Sequence, residues 1–245
     1  MLRLVSLALF IGAWFLGSWL AGEQMLPAPT TVLAAILVEA RSGDLFIHLG
    51  ATLARVFFAF VLAMAVGAAI GLLMGRHALA DRLGDPWLVV LLNLPALVII
   101  VLAYVWGGLT EIAAILAVAI NKVPNAIVTI REGARALDPA LDDVVRVFAI
   151  SRWKALRHVV MPQLAPYVAA ASRSGLSLVW KIVLVVELLG RPNGVGFEIG
   201  VAFQLFDVTR ILAYALAFVA VVLAIEILLV QPFERRASRW RGRPA

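Results

Sequence analysis

The chain has no cysteine, only three histidines and few charges, which fill 15% of its 245 positions. Without cysteine there are no structural disulfides, no thiolate chemistry and no Cys-based metal sites. His48, His77 and His158 stand far apart, with no His-Glu-x-x-His arrangement and no paired aspartates inside an apolar run. An intramembrane metalloenzyme or acid-pair enzyme therefore has nothing to be built from. No Gly-x-x-x-x-Gly-Lys-Ser/Thr stretch is present to cradle nucleotide phosphates. No clear internal repeat is visible either, which counts against an ion-driven carrier made of two related halves.

Apolar residues are abundant. They make up 63% of the sequence, whereas soluble domains hold about half. Six runs are long enough to cross about 30 Å of hydrocarbon as helices: Leu4 to Ala21, Leu53 to Gly75, Trp87 to Trp106, Ile112 to Ile130, Tyr167 to Leu189 and Ile211 to Val230. The expected fold class is an all-α polytopic membrane protein, one transmembrane domain over residues 1–245 with the lipid bilayer as its solvent. Met1 to Gly22 has a cleaved signal peptide as its alternative. A retained span is expected, because the run is long for a signal core and Trp14, Phe15 and Trp19 are bulky where cleavage needs small residues.

The net charge of +6 does not point to nucleic acid, since the basic residues are not interleaved with aromatics on a hydrophilic surface. Membrane topology explains it better. With the N-terminus inside, the cytoplasm receives Arg3, Arg76, Arg82, six basic residues from Arg131 to Arg157 and five arginines after Gln231. Both termini and the segment Arg131 to Pro166 are thus expected on the cytoplasmic side. Glu23 to Ala51 opens with Leu26-Pro27-Ala28-Pro29 and Thr30, a capping residue for a short interfacial helix ending near Gly43. In the second span Gly67, Gly71 and Gly75 follow Ala59 and Ala63 at four-residue spacing, a face for close helix packing within the chain or between subunits.

Arg131 to Pro166 is the one substantial polar insertion. Asp138 suits a helix N-cap, Pro139 its first turn, and Asp142 and Asp143 its positive end. Leu141, Val144, Val145, Phe148 and Ala149 fall on one stripe at i, i+3, i+4, i+7 and i+8. Ser151 is placed to cap a second short helix with Arg152, Trp153, Lys154, Leu156, Arg157 and Val160, stopped by Pro162, before Pro166 opens the next span. Two readings stay open on physical grounds: an amphipathic segment lying on the anionic inner leaflet, or an element that docks on a protein and uses charges of both signs.

The run from Leu137-Asp138-Pro139-Ala140-Leu141-Asp142-Asp143-Val144-Val145-Arg146 through Ser151-Arg152-Trp153 to Arg157-His158-Val159-Val160-Met161-Pro162 resembles the EAA loop of bacterial ABC importer permeases of the type I fold, in their nitrate, sulfonate and taurine-like branch. Gly43-Asp44-Leu45, His48, Thr52-Leu53-Ala54-Arg55, and Glu187 followed by Gly194-Val195-Gly196-Phe197 extend the resemblance over nearly the whole chain. There are departures: Asp143 stands for the motif's first Glu, Val144 and Val145 for its alanines, and Ala149 for its turn glycine. An alanine there costs about 1 kcal/mol if the turn stays left-handed.

The resemblance implies a pathway formed by two permease copies, a homodimer here. It also implies two cytoplasmic ATPases that bind ATP and Mg, and an extracytoplasmic solute-binding protein that delivers cargo; this chain itself binds no cofactor and no metal. Leu141, Asp142, Asp143, Val144, Val145, Arg146, Phe148, Ala149, Ser151, Arg152 and Trp153 are the implied ATPase-coupling residues. Cargo is expected to be a sulfonate, taurine, nitrate or similar small anion, with vitamin precursors as an alternative.

Polar groups inside the spans are the pathway candidates, because an ionised group costs about 2.5 to 3.5 kcal/mol at mid-membrane. Arg173, Ser177 and Lys181 recur every four residues along one side of the fifth span. They suit an anion pathway, or equally partners among helix carbonyls and a carboxylate on a neighbouring span. Lys122, beside Pro124, can snorkel or mark a kink. Asn93 with Pro95 marks a bend in the third span, and Glu187, near an outer span end in reach of water, is expected to order an external gate.

Overall fold

The structure, a computed structural model, describes residues 2–232, with side chains from residue 5 onward. The side chain of Arg3 and the five arginines after Gln231 lie outside these. The described residues form helices and no strand. Among the described residues, four helices are long and apolar enough to cross a membrane: α3 (Asp44–Arg76), α6 (Glu111–Arg135), the run Arg152–Gly190, and Val208–Val230. The run Arg152–Gly190 comprises α8 (Arg152–Ala155), a π-helical turn (Leu156–Val160) and α9 (Met161–Gly190). The last span comprises α11 (Val208–Ile225) and a second π-turn (Glu226–Val230). Phe46, Phe57, Phe58 and Ile70 of α3 stand exposed, which is the arrangement a lipid solvent favours.

The expected third span is not one straight helix. It is α4 (Ala78–Asn93) and α5 (Ala96–Gly107), bent by 96° at Leu94-Pro95 and able to count together as a fifth span. Proline forces the residue before it out of the helical region and lacks the N–H that would continue the ladder. Leu94 accordingly sits at φ −69°, ψ 127°. The first expected span corresponds to α1 (Leu2–Ala21), an apolar helix whose part from Val5 to Ala21 falls among the shorter ones.

The other spans differ at their ends. The second starts earlier, at Asp44, and the fifth has no stop at Pro162: helix runs through both Pro162 and Pro166 to Gly190. The π-turn that ends at Val160 widens the backbone directly ahead of Pro162, where a regular helix would set a carbonyl against the proline ring.

The chain divides into two compact units, Met1–Ala54 with Leu184–Ala224, and Arg55–Val183 with Ile225–Ala245. In the first, the Trp14 indole donates to the Pro27 carbonyl at 3.0 Å, tying α1 to the turn before α2 (Pro29–Ser42). Gly43 at φ +90° ends α2 as expected, but proline occupies its first position and Ala28 its N-cap, so Thr30, the expected capping residue, lies inside the helix.

In the second unit, the glycine face of α3 lies against α6. A Cβ added at Gly71 would sit 2.8 Å from the Ile127 carbonyl oxygen, and one at Gly75 would sit 2.5 Å from Ala134 Cβ. The face therefore packs within the chain. Small side chains at these positions let two backbones approach and gain dispersion contacts that lipid cannot supply. Met74, Leu88 and Ile127 fill one end of this unit, and Ala134, Leu137 and Leu164 fill the base of the polar loop.

Candidate functional site: the polar loop and the ionisable groups of the spans

The polar loop is fastened at both ends. Asp138 caps α7 (Pro139–Val147): its Oδ1 accepts from Ala140 N at 2.9 Å, and its own N–H donates to Gln163 Oε1 at 3.0 Å, reaching α9. Asp142, in the first turn, takes a two-pronged ion pair from Arg76 at the end of α3, with contacts of 2.9 and 3.1 Å. Among the described residues, Asp143 pairs only with Arg146, at 3.6 Å in solvent.

Helix α7 ends in a Schellman turn. Ala149 N donates to the Arg146 carbonyl and Ile150 N to the Val145 carbonyl, at 3.1 and 3.0 Å, while Ala149 takes φ +47°. The left-handed conformation that the missing glycine would serve is thus kept, and the alanine bears the strain. Ser151 occupies the N-cap position of α8 without a side-chain cap bond.

The register of α7 sorts its apolar residues into two sets. Val145 and Ile150 turn inward and line a cleft of about 820 Å³ beside Leu72, Leu73 and Arg76 of α3. Phe148 (74% exposed), Val147 (79%) and Trp153 (69%) turn outward, with Leu141 and Val144 at their edge. The expected stripe is therefore split, and Val147 joins the outer set. Next to the loop, α4 and α6 are held by crossed charges: Arg131 reaches Asp85 at 2.6 Å and Asp81 at 3.3 Å, and Arg135 reaches Asp81 at 2.5 Å. The sequence signal for this clasp is two doublets of opposite sign, each with its members four residues apart.

The pathway candidates separate by environment. Lys122 is fully buried and donates to the Ala171 carbonyl at 3.1 Å. Gly175 leaves room for its methylenes, since a Cβ there would overlap Lys122 Cε. Lys122 therefore joins α6 to α9 through a backbone carbonyl. Arg173 lies 3.7 Å from Glu226. Ser177 and Lys181 are exposed, and Lys181 has no ion pair among the described residues. Exposed Asn93 bonds back to the Val89 carbonyl at 2.8 Å.

Glu187 does not reach water: it is fully buried. Thr52 Oγ1 and Gly196 N both donate to its Oε2 at 2.9 Å. Burial follows from α10 (Val195–Gln204), a short helix that the hydropathy pattern alone does not reveal. The first N–H groups of a helix lack internal partners, and here three side chains serve them. Gly194 N donates to His48 Nδ1 (3.0 Å), Val195 N to Thr52 Oγ1 (2.8 Å) and Gly196 N to Glu187. Gly194 is at φ +114°, and a Cβ there would collide with the Glu187 carboxyl. Accepting at Nδ1 leaves the His48 proton on Nε2, which lies 3.1 Å from Glu198 Oε1. Glu198 meets Arg210 at 2.8 Å, Arg210 meets Glu39 at 3.4 Å, and the Tyr214 hydroxyl donates to Glu39 at 2.7 Å. His48 and Thr52, one turn apart near the start of α3, were the visible signal for this cluster.

Residues 63–236 match the family described as binding-protein-dependent transport system inner membrane component. The chain belongs to this family. It is 28% identical to a probable ABC transporter permease protein of Brucella abortus (strain 2308), over 99% of this chain and 96% of the relative. It is 24% identical to the taurine transport system permease protein of Escherichia coli (strain K12), over 98% and 90% of the two chains. Among solved structures, an amino acid ABC transporter superposes with a TM-score of 0.64 at 22% identity, covering 82% of this chain and 98% of that one, a likeness of fold. This permease chain is thus a transmembrane transport component of the importer type.

Proposed function

We propose that this permease works as one half of a homodimeric, ATP-driven importer and converts closure of a cytoplasmic ATPase pair into alternating access. The chain is a single permease domain with both termini and the polar loop in the cytoplasm, in keeping with its excess of Lys and Arg on that side. A solute-binding protein brings cargo to the opposite face. ATP and Mg are handled by the separate ATPases.

The observation that carries this reading is the outer face of the loop. Val147, Phe148 and Trp153 expose large apolar surfaces on a projection anchored by Asp138, by the Arg76–Asp142 ion pair and by Gln163. Leaving such a cluster in water is costly, at roughly 25 cal/mol per Å². A rigid, mixed apolar and charged knob suits a groove on a protein. Asp142, Asp143, Arg146 and Arg152 frame it with both signs, and the Ala149 turn sets the angle between its helices.

Cargo is a small sulfonate-type anion, a choice supported by the taurine transport relative and by Lys181 and Ser177, exposed on one side of α9. Arg173 continues that stripe along α9, with Glu226 of the last span 3.7 Å away. Glu187, Thr52 and His48 hold α10 at the extracytoplasmic end. Asn93 marks the broken span, and Lys122 stiffens α6 against α9.

The test is reconstitution of the chain with an ATPase and a solute-binding protein from the same organism. Uptake of a radiolabelled sulfonate into vesicles that requires all three components and ATP is the expected outcome. Uptake by the permease alone would contradict the reading.

A further inference from the structure

We propose that the cleft between the end of α3 and the inner side of the polar loop is a binding site for an anionic phospholipid of the adjoining leaflet. The cleft, about 820 Å³, is lined in two distinct zones. Ala69, Leu72 and Leu73 in the last turns of α3, with Leu156 and Val160 of the π-turn, make an apolar wall. Arg76, Arg146 and Arg152 supply cations and His77 a ring nitrogen, and Asp142 is the one acid among the lining residues.

The cations are unevenly satisfied. Arg76 is committed to Asp142. Arg146 has only solvent-exposed Asp143 at 3.6 Å, and Arg152 has no ion pair among the described residues. Two guanidinium groups therefore face the cleft region with spare donors, in a geometry that suits phosphate oxygens.

The apolar wall decides between kinds of anion. A free phosphate or nucleotide would leave Leu72, Leu73 and Leu156 without use, whereas a phospholipid lays its first methylenes on that wall and its phosphate on the arginines. The wall belongs to the terminal turns of a membrane-spanning helix, where acyl chains and headgroups meet protein. Basic pockets beside transmembrane helices on the cytoplasmic side are known to hold anionic headgroups, and the volume lies in the usual range for a ligand pocket. The site uses the inner faces of α7 and of the segment Ser151–Val160 and leaves the outward surface of Val147 and Phe148 free, while Arg146 and Arg152, which also frame that surface, are shared between the two.

The test uses the full chain without any ATPase, so its failure leaves the coupling assignment untouched. The chain is reconstituted in phosphatidylcholine nanodiscs containing some phosphatidylglycerol, transferred to detergent, and its retained lipid is read by native mass spectrometry. Phosphatidylglycerol is expected to stay bound and phosphatidylcholine to be lost. Each arginine near the headgroup is worth about 1 kcal/mol, so an Arg146→Gln/Arg152→Gln double variant should bind roughly 25-fold more weakly. The Arg146→Lys/Arg152→Lys variant keeps the charge and should retain most binding, and Leu73→Ser should weaken it. Equal retention of the two lipids, unchanged binding by the double glutamine variant, or displacement by millimolar inorganic phosphate would each overturn the proposal. Both arginines are exposed, and a wild-type circular dichroism spectrum for each variant confirms that the fold is kept.

Discussion

Reversing the charge at Asp142 is the most informative single perturbation of the loop. Its carboxylate holds α7 to the end of α3 through two contacts with Arg76, at 2.9 and 3.1 Å. The two side chains are 34% and 30% exposed, so the pair belongs with solvent-screened ion pairs, worth about 0.2 to 1 kcal/mol, at the upper end because the geometry is bidentate. Asp142→Arg removes that attraction and sets two guanidinium groups side by side, a change of roughly 1 to 2 kcal/mol in favour of a detached loop. That equals about a five- to thirty-fold shift in the fraction of loops held in register. The distance between spin labels at Ala80 and Lys154 reads that fraction directly. A broadened, longer distribution is expected in Asp142→Arg, with recovery in the Arg76→Asp/Asp142→Arg swap. Labels that stay put in the single variant, or a swap that fails to restore them, would refute the tether.

Three further outcomes follow from other parts of the structure. Ala149→Gly relieves a left-handed alanine and should stabilise the loop by about 0.5 to 1 kcal/mol, read as slower proteolysis between α7 and α8; faster cleavage would argue against the turn. Thr52→Val leaves the buried Val195 N–H and the Glu187 carboxylate each short of a partner, at about 1 to 3 kcal/mol apiece, so thermal unfolding in detergent should begin several degrees lower. An unchanged midpoint would mean that the α10 cap is not formed. Lys181→Met should lower sulfonate uptake at least tenfold with complex assembly intact, and unchanged uptake would remove Lys181 from the pathway.

What the sequence made legible was local. Gly43 at the end of α2 and Asp138 before α7 each act through neighbouring backbone, so the pattern alone placed them, whereas α2 starts at Pro29, ahead of the cap expected at Thr30. The glycine face of α3 was equally readable, although its partner α6 was not. The rest depends on contacts between distant positions. Glu187 near a span end looks wet until His48 and Thr52 bring α10 over it. The stripe of α7 looks single until Arg76, sixty-six residues away, fixes which side faces in. Proline signals a break, but its consequence varies: Pro95 accompanies a 96° bend, whereas Pro162 is absorbed behind a π-turn.

The central claim is that the outward face of the loop is an ATPase contact, and Phe148→Asp tests it most directly. Phe148 is 74% exposed, so the substitution should leave the permease folded and in the membrane. Co-purification with the tagged ATPase and ATP-dependent uptake should both be lost. Wild-type levels of both would contradict the assignment.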